Sequence, residues 1–375
     1  MLLLQAPMTR HTRSLHSLAP LAVLSFLSAC TMATGSAEPT GEVSAAAKTS
    51  LNAGLNVDPS NANAGPVSDL QHLGVTRLRM TYRLGWGVES YVNYIRKVES
   101  FVHLQKIIFV LTPNALASGN TGNPFSPQFN SSYLACLNDY AAAFTASSGS
   151  CESAWQNWVW SYFRPEGQAA VGSIVSAFAS AGIHVPLGFE VLYEPDDQFH
   201  GAVFTGGSPA HSSLAAGAMA YLLGQMTPYI RSKGAQAIVG GLDSGQTSYV
   251  QELGSAPYDA IAIHEYGTWP VARPDSCLGP YFGPTGGGFP KYQAVSGGRP
   301  VILTEFGYGS STPNPNECGK SGEQTEADFV AAARNDPSLA NQEAYFFGYS
   351  DVMQSGSGFG LITAQGAKKP AYYAF

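Results

Sequence analysis

The chain has 375 residues, 45% of them hydrophobic and 12% charged, which is the composition of a globular protein long enough to bury a large core. Its formal net charge of -7 lacks the Lys/Arg excess that a phosphate backbone demands, so a nucleic-acid-binding surface is excluded as its main role.

At the N-terminus, Arg10 and Arg13 precede an apolar run from Leu18 to Leu27 that is too short for a permanent membrane span. The run ends in LSAC, Leu27 to Cys30, which resembles the lipobox of bacterial lipoproteins. That resemblance implies a signal peptide over residues 1–29 and lipidation of Cys30 as the mature N-terminus. With Thr31 next rather than Asp, it implies export to the outer membrane or cell surface rather than inner-membrane retention. An ordinary signal peptide with a chance cysteine is the alternative. Residues 30–50, rich in Ala, Ser, Thr, Gly and Glu, read as a flexible tether, and residues 51–375 as one folded domain.

Within that domain Leu51–Asp58 reads as a strand, Pro66–Leu73 as a helix, Val75–Tyr82 as a strand and Val88–Gln105 as a helix. Lys106–Thr112 (KIIFVLT) is a continuous apolar run of the kind buried parallel strands show. A Gly/Asn/Pro/Ser-rich loop carries Cys136 and Cys151, and two helices follow between about Ser153 and Ala181. The remaining strands are His184–Glu194, Gln236–Ser244, Asp259–Gly267, Pro300–Gly309 and Ala344–Val352, with a helix from about Ser213 to Lys233. Strands alternating with helices indicate parallel βαβ units, and this number favours a single closed (β/α)8 barrel over an open doubly wound sheet. No GxGxxG follows the first strand, which weakens a dinucleotide-binding reading.

Apart from Cys30, the cysteines are Cys136, Cys151, Cys277 and Cys318, an even number that suggests disulfides in an exported protein. Three pairings are formally possible; the local one, Cys136 with Cys151 and Cys277 with Cys318, is preferred. None of the spacings is a metal-ligand pattern.

Barrel active sites lie at the C-terminal strand ends. Here those ends carry Arg79 and Thr81, Thr112 and Asn114, Glu194, Asp243, His264 and Tyr266, Glu305, and Tyr349 and Asp351. Alternation along a strand gives Gly188, Glu190, Leu192 and Glu194 one shared face, and Val301, Leu303 and Glu305 another. It sends His264 and Tyr266 one way and Glu265 the other. If the shared faces look inward, Glu194 and Glu305 meet across the barrel mouth. Paired carboxylates flanking a cleft suit glycoside hydrolysis, where one protonates the leaving oxygen and the other attacks the anomeric carbon.

Three motifs carry a family resemblance. FEVLYEPD (Phe189–Asp196) resembles the WEIWNEPN segment of clan A glycoside hydrolases, ILTEFGYG (Ile302–Gly309) their strand-seven nucleophile motif, and IAIHEYG (Ile261–Gly267) their His-x-Tyr element. GAKKPAYYAF at the C-terminus is similar to the tail that closes many of these barrels. Families 5, 39 and 128 fit equally. The resemblance covers most of the chain after residue 50. It implies a retaining mechanism with Glu194 as acid/base and Glu305 as nucleophile. Tyr266 would bond the nucleophile, His264 would contact substrate or acid/base, Arg79 would orient Glu305, and Glu190 would be a buried structural acid.

One departure stands out, because Tyr193 occupies the place where the family has an asparagine that binds the sugar 2-hydroxyl. Strand eight also lacks the common tryptophan, leaving Tyr349 as a candidate sugar platform. Trp86 and Trp269 in loops are further candidates, since an aromatic face matches axial C–H groups. The expected substrate-binding set is thus Arg79, Asn114, Tyr193, His264, Tyr266, Trp269 and Tyr349. No cofactor or metal is implied, and the partners are a carbohydrate substrate and a lipid anchor on a monomer. Two rival readings are a non-catalytic glycan-binding lipoprotein on the same barrel and a metal-dependent hydrolase using His264 and Asp243.

Overall fold

The apolar runs become eight strands whose residues are almost wholly buried. They are β1 (Asn52–Asn56), β2 (Arg77–Thr81), β3 (Lys106–Leu111), β4 (Leu187–Val191), β5 (Gln236–Leu242), β6 (Ala260–Tyr266), β7 (Val301–Gly307) and β8 (Glu343–Phe346). Every neighbouring pair is parallel, and β1 pairs with both β2 and β8, so the sheet closes in chain order into a barrel. The expected (β/α)8 architecture is therefore the observed one. The structure is a computed structural model that describes residues 52–112, 156–157, 159–196, 216–243, 247–266, 288–311, 321–335, 339, 341–354 and 358–375. All of these fall in the unit Ala47–Phe375. Cys30, Asn114, Cys136, Cys151, Asp197, Trp269, Cys277 and Cys318 lie outside the described residues.

The helices are α1 (Asp69–Leu73), α2 (Val88–Glu99), α3 (Arg164–Ser180), α4 (Ala216–Ser232), α5 (Thr247–Glu252), α6 (Gly288–Val295), α7 (Gly322–Asn335) and α8 (Pro370–Ala374). No helix among the described residues is long and apolar enough to cross a membrane. The helix expected to reach Gln105 stops at Glu99. There the Ser100 hydroxyl donates to the Lys97 carbonyl at 2.6 Å, a local bond that competes with continuing the helix.

Two layers of apolar side chains fix the strand orientations. Ile108, Ile238, Ala260, Ala262, Ile302 and Tyr345 fill the barrel interior. Leu55, Leu78, Phe109, Phe189, Val191, Ile261, Ile263, Val301, Leu303 and Phe306 point outward into the core shared with the helices. Gly54 is required inside the barrel, because a Cβ there would fall on the Tyr345 ring.

This layering corrects the expected alternation in two places. Val301 and Leu303 face outward, so they do not share a face with Glu305. The β6–β7 register runs Ile263↔Leu303 and then His264↔Glu305, leaving Thr304 as an extra residue. This β-bulge turns Glu305 inward. In β4, Gly188 and Glu190 do face inward, but Leu192 packs outward with φ 68°. The left-handed backbone there interrupts the period of two, and Tyr193 and Glu194 both turn toward the barrel mouth.

Candidate active site

The site begins with a guanidinium. Arg79, buried on β2, donates from Nε and Nη2 to the two oxygens of Glu190 at 2.8 Å each. Its Nη1 donates to Glu305 Oε1 at 2.5 Å and to Asn56 Oδ1 at 2.7 Å. Glu190 also accepts from the Gly241 N–H at 2.9 Å. Such a fork pairs bidentately with one carboxylate and keeps donors for a second. Burial alone would lower the Arg79 pKa, but Glu190 and Glu305 together hold it well above the ordinary arginine value, so the guanidinium stays charged.

Glu305 is fully buried and its carboxylate is surrounded by donors. Oε1 accepts from Arg79; Oε2 accepts from the Tyr193 hydroxyl at 3.1 Å and from the Tyr266 hydroxyl. Burial first, then the nearby Glu305, pushes both phenols well above the ordinary tyrosine value, so both remain protonated donors. These donors fix the orientation of the carboxyl group at the barrel mouth.

Next to Glu305 stands Glu194, whose Oε1 is hydrogen-bonded to His264 Nδ1. The same ring nitrogen lies 3.6 Å from Glu305 Oε2, and Arg79 Nη2 lies 3.4 Å from Nε2. Burial tends to lower the His264 pKa, but Glu305 and Glu194 outweigh it and raise the value above that of an ordinary histidine. Gly241 makes room for this ring: a Cβ at that position would collide with His264 Nε2. His264 and Tyr266 lie inward along β6, and Glu265 faces the other way, as alternation requires. One ligand atom each from Glu194, His264 and Glu305 lies within 4.8 Å of the others. They offer a carboxylate–imidazole–carboxylate set, but the Glu305 oxygen that faces His264, Oε2, already accepts from the Tyr193 and Tyr266 hydroxyls. Asp243 is not in this set; its N–H donates to Asp196 Oδ1 at 3.0 Å.

Of the expected residues, Arg79, Tyr193, Glu194, His264, Tyr266 and Glu305 converge. Tyr349 does not. Strand β8 ends at Phe346, and Tyr349 is buried in the outer layer with its hydroxyl donating to Asp69 Oδ2 of α1 at 2.5 Å. The aromatic residue following β8 at the site is Phe347, whose ring meets Tyr266 edge-on at 6.1 Å. Trp86 stands edge-on to Tyr91 at 4.4 Å and packs against the core. The sequence reading missed Asn56 and Phe347. Asn56 sits at the end of β1, where its Nδ2 donates to the Thr304 carbonyl at 2.9 Å and braces the bulge. Its position at a barrel-strand end was the available signal. A cavity of about 160 Å³ opens against Glu305, Tyr193 and Arg79 and extends past Phe347 to Asp58 and Arg83.

No family model matches this chain, and no curated protein matches it. Solved structures do. The GH5_18 protein from Streptomyces cattleya in complex with GlcNAc is similar at TM-score 0.51 and 12% identity, over 87% of this chain and 79% of that one. A GH39 β-xylosidase from Caulobacter crescentus matches at TM-score 0.45 and 14% identity, over 86% and 70%. A modular endo-β-1,4-mannanase from Cellulomonas fimi matches at 0.48 and 16%, over 85% and 68%. The first of these likenesses establishes a shared fold, a glycosidase-like (β/α)8 barrel, and at such identities only the fold.

Proposed function

We propose that this protein is a retaining β-glycoside hydrolase acting on a polysaccharide or oligosaccharide. The observation that carries the reading is the carboxylate pair: an oxygen of Glu194 and one of Glu305 lie within 4.8 Å of each other at the barrel mouth. Retention by double displacement works with carboxyl groups about 5–5.5 Å apart, whereas inversion needs about 6.5–9.5 Å to admit a water.

In this mechanism Glu305 attacks the anomeric carbon while the bond to the glycosidic oxygen breaks and the Glu194 proton passes to that oxygen. Water then attacks the anomeric carbon and gives a proton back to Glu194, and the bond to Glu305 breaks. The charged Arg79 and the two phenols hold the Glu305 carboxyl group in place. His264 bridges the two acids. Double displacement needs two carboxyl groups in different roles, and here one is guanidinium-locked and the other sits on an imidazole. The lipobox-like N-terminus supports an exported, lipid-anchored enzyme.

The test is release of reducing ends from β-glucans, xylans, mannans and galactans by the wild type and by Glu305→Gln. Turnover by the wild type and its loss in the variant is the expected outcome. Glycan binding with no turnover by the wild type would leave the non-catalytic lectin-like reading in its place.

A further inference from the structure

We infer that Tyr193 is a positioning residue for Glu305, whose phenol shares carboxylate oxygen Oε2 with Tyr266 and makes Glu305 a better leaving group in the second half of the reaction. The inference rests on Glu305 being the nucleophile.

The backbone around Tyr193 is shaped to deliver it. Leu192 and Glu194, its two neighbours, both have positive φ, 68° and 45°. Non-glycine residues in the left-handed region are uncommon, and their strain concentrates where the surroundings hold a side chain in place. A regular strand would send one of two consecutive side chains outward, whereas here Tyr193 and Glu194 both enter the site. The phenol oxygen lies 3.1 Å from Glu305 Oε2. The ring lies 5.2 Å from that of His264, and the Arg79 guanidinium carbon lies 5.7 Å from the ring centre. Tyr193 thus touches the nucleophile and both of its cationic or basic neighbours.

The consequence follows from charge. Glu305 is an anion before attack, a neutral ester in the covalent intermediate, and an anion again as it departs. Donors on Oε2 stabilise the anion more than the ester. They slow formation of the intermediate slightly and speed its breakdown, so withdrawing one donor makes the ester harder to break. The titratable and charged groups facing Glu305 are Arg79 from β2, Tyr193 and Glu194 from the end of β4, and His264 and Tyr266 from β6. Asn56 and Phe347, from β1 and after β8, carry no titratable group.

The experiment compares wild type and Tyr193→Phe on an activated aryl β-glycoside of the sugar that the wild type releases. We expect kcat to fall about tenfold, the size of one hydrogen bond to a charged group. KM should fall in step because the glycosyl-enzyme accumulates, with kcat/KM held within about threefold and a pre-steady-state burst of the phenol. Tyr193→Asn, which also withdraws the phenol, is the second variant, with the same expected direction. Unchanged kinetics in both variants, or a rise in KM at constant kcat, would overturn the inference while leaving the hydrolase reading intact. A wild type inactive on every glycoside would overturn both.

Discussion

Arg79 and Glu190 are locked face to face by two hydrogen bonds of 2.8 Å inside the barrel, and the remaining arm of the same guanidinium reaches Glu305. Glu190 therefore acts on the candidate nucleophile through Arg79. Because the pair is buried, deleting Glu190 leaves Arg79 with Glu305 as its remaining carboxylate partner and two guanidinium nitrogens without theirs. Glu190→Ala is expected to destabilise the protein by about 3–5 kcal/mol, read by denaturant unfolding. Arg79→Lys keeps the charge but loses the fork, and kcat/KM should fall about 100-fold through misplacement of Glu305. Equal activity of the Arg79→Lys variant and the wild type would show that the fork does not orient the carboxylate.

Gly241 faces the His264 ring without a side chain. Gly241→Ala should push the imidazole away from Glu194. The expected result is a loss of about 1–3 kcal/mol of stability from overpacking, together with a loss of activity larger than that of a substitution away from the site. Thermal unfolding and steady-state kinetics on one preparation check both.

Much of this arrangement was legible in the sequence. The alternation of apolar runs with helices gave the closed barrel. The period of two correctly paired His264 with Tyr266 on β6 and turned Glu265 away. It failed on β7 and at the end of β4 because a bulge is set by how two strands pair. Thr304 and Leu192 are ordinary strand residues with no compositional mark for an extra residue or a positive φ. Glu194 and Glu305 still reached the mouth, for reasons other than the alternation that suggested them.

Tyr349 illustrates a second limit. Sequence alone ran the last strand through it, but β8 ends at Phe346, and beyond that point alternation no longer predicts direction. Tyr349→Phe should remove the bond to Asp69 and cost about 1 kcal/mol of stability, with kcat/KM within about twofold of the wild type. A large loss of activity without loss of stability would return Tyr349 to the substrate.

Glu265, turned away from the mouth, accepts backbone N–H bonds from Gly288 and Phe289 at the start of α6, and burial is the main cause that pushes its pKa up from 4.5 to about 7. An acid with a higher pKa in the folded than in the unfolded state contributes stability that is fully present below the unfolded value. That stability is lost as pH rises through the folded value. Folding stability should therefore decline between about pH 4.5 and pH 7, by ~3 kcal/mol from this group. Glu265→Gln should flatten that part of the profile, as followed by urea unfolding across the range; an unchanged slope in the variant would assign the dependence to another group.

The central claim is that Glu194 and Glu305 act as acid/base and nucleophile in a double displacement. Its most direct test is proton NMR of the anomer first released from the glycan that the wild type hydrolyses, before mutarotation. Double displacement requires that the β-anomer appear first and the α-anomer grow in later. The α-anomer appearing first would mean inversion and would contradict the assignment of Glu305 as nucleophile.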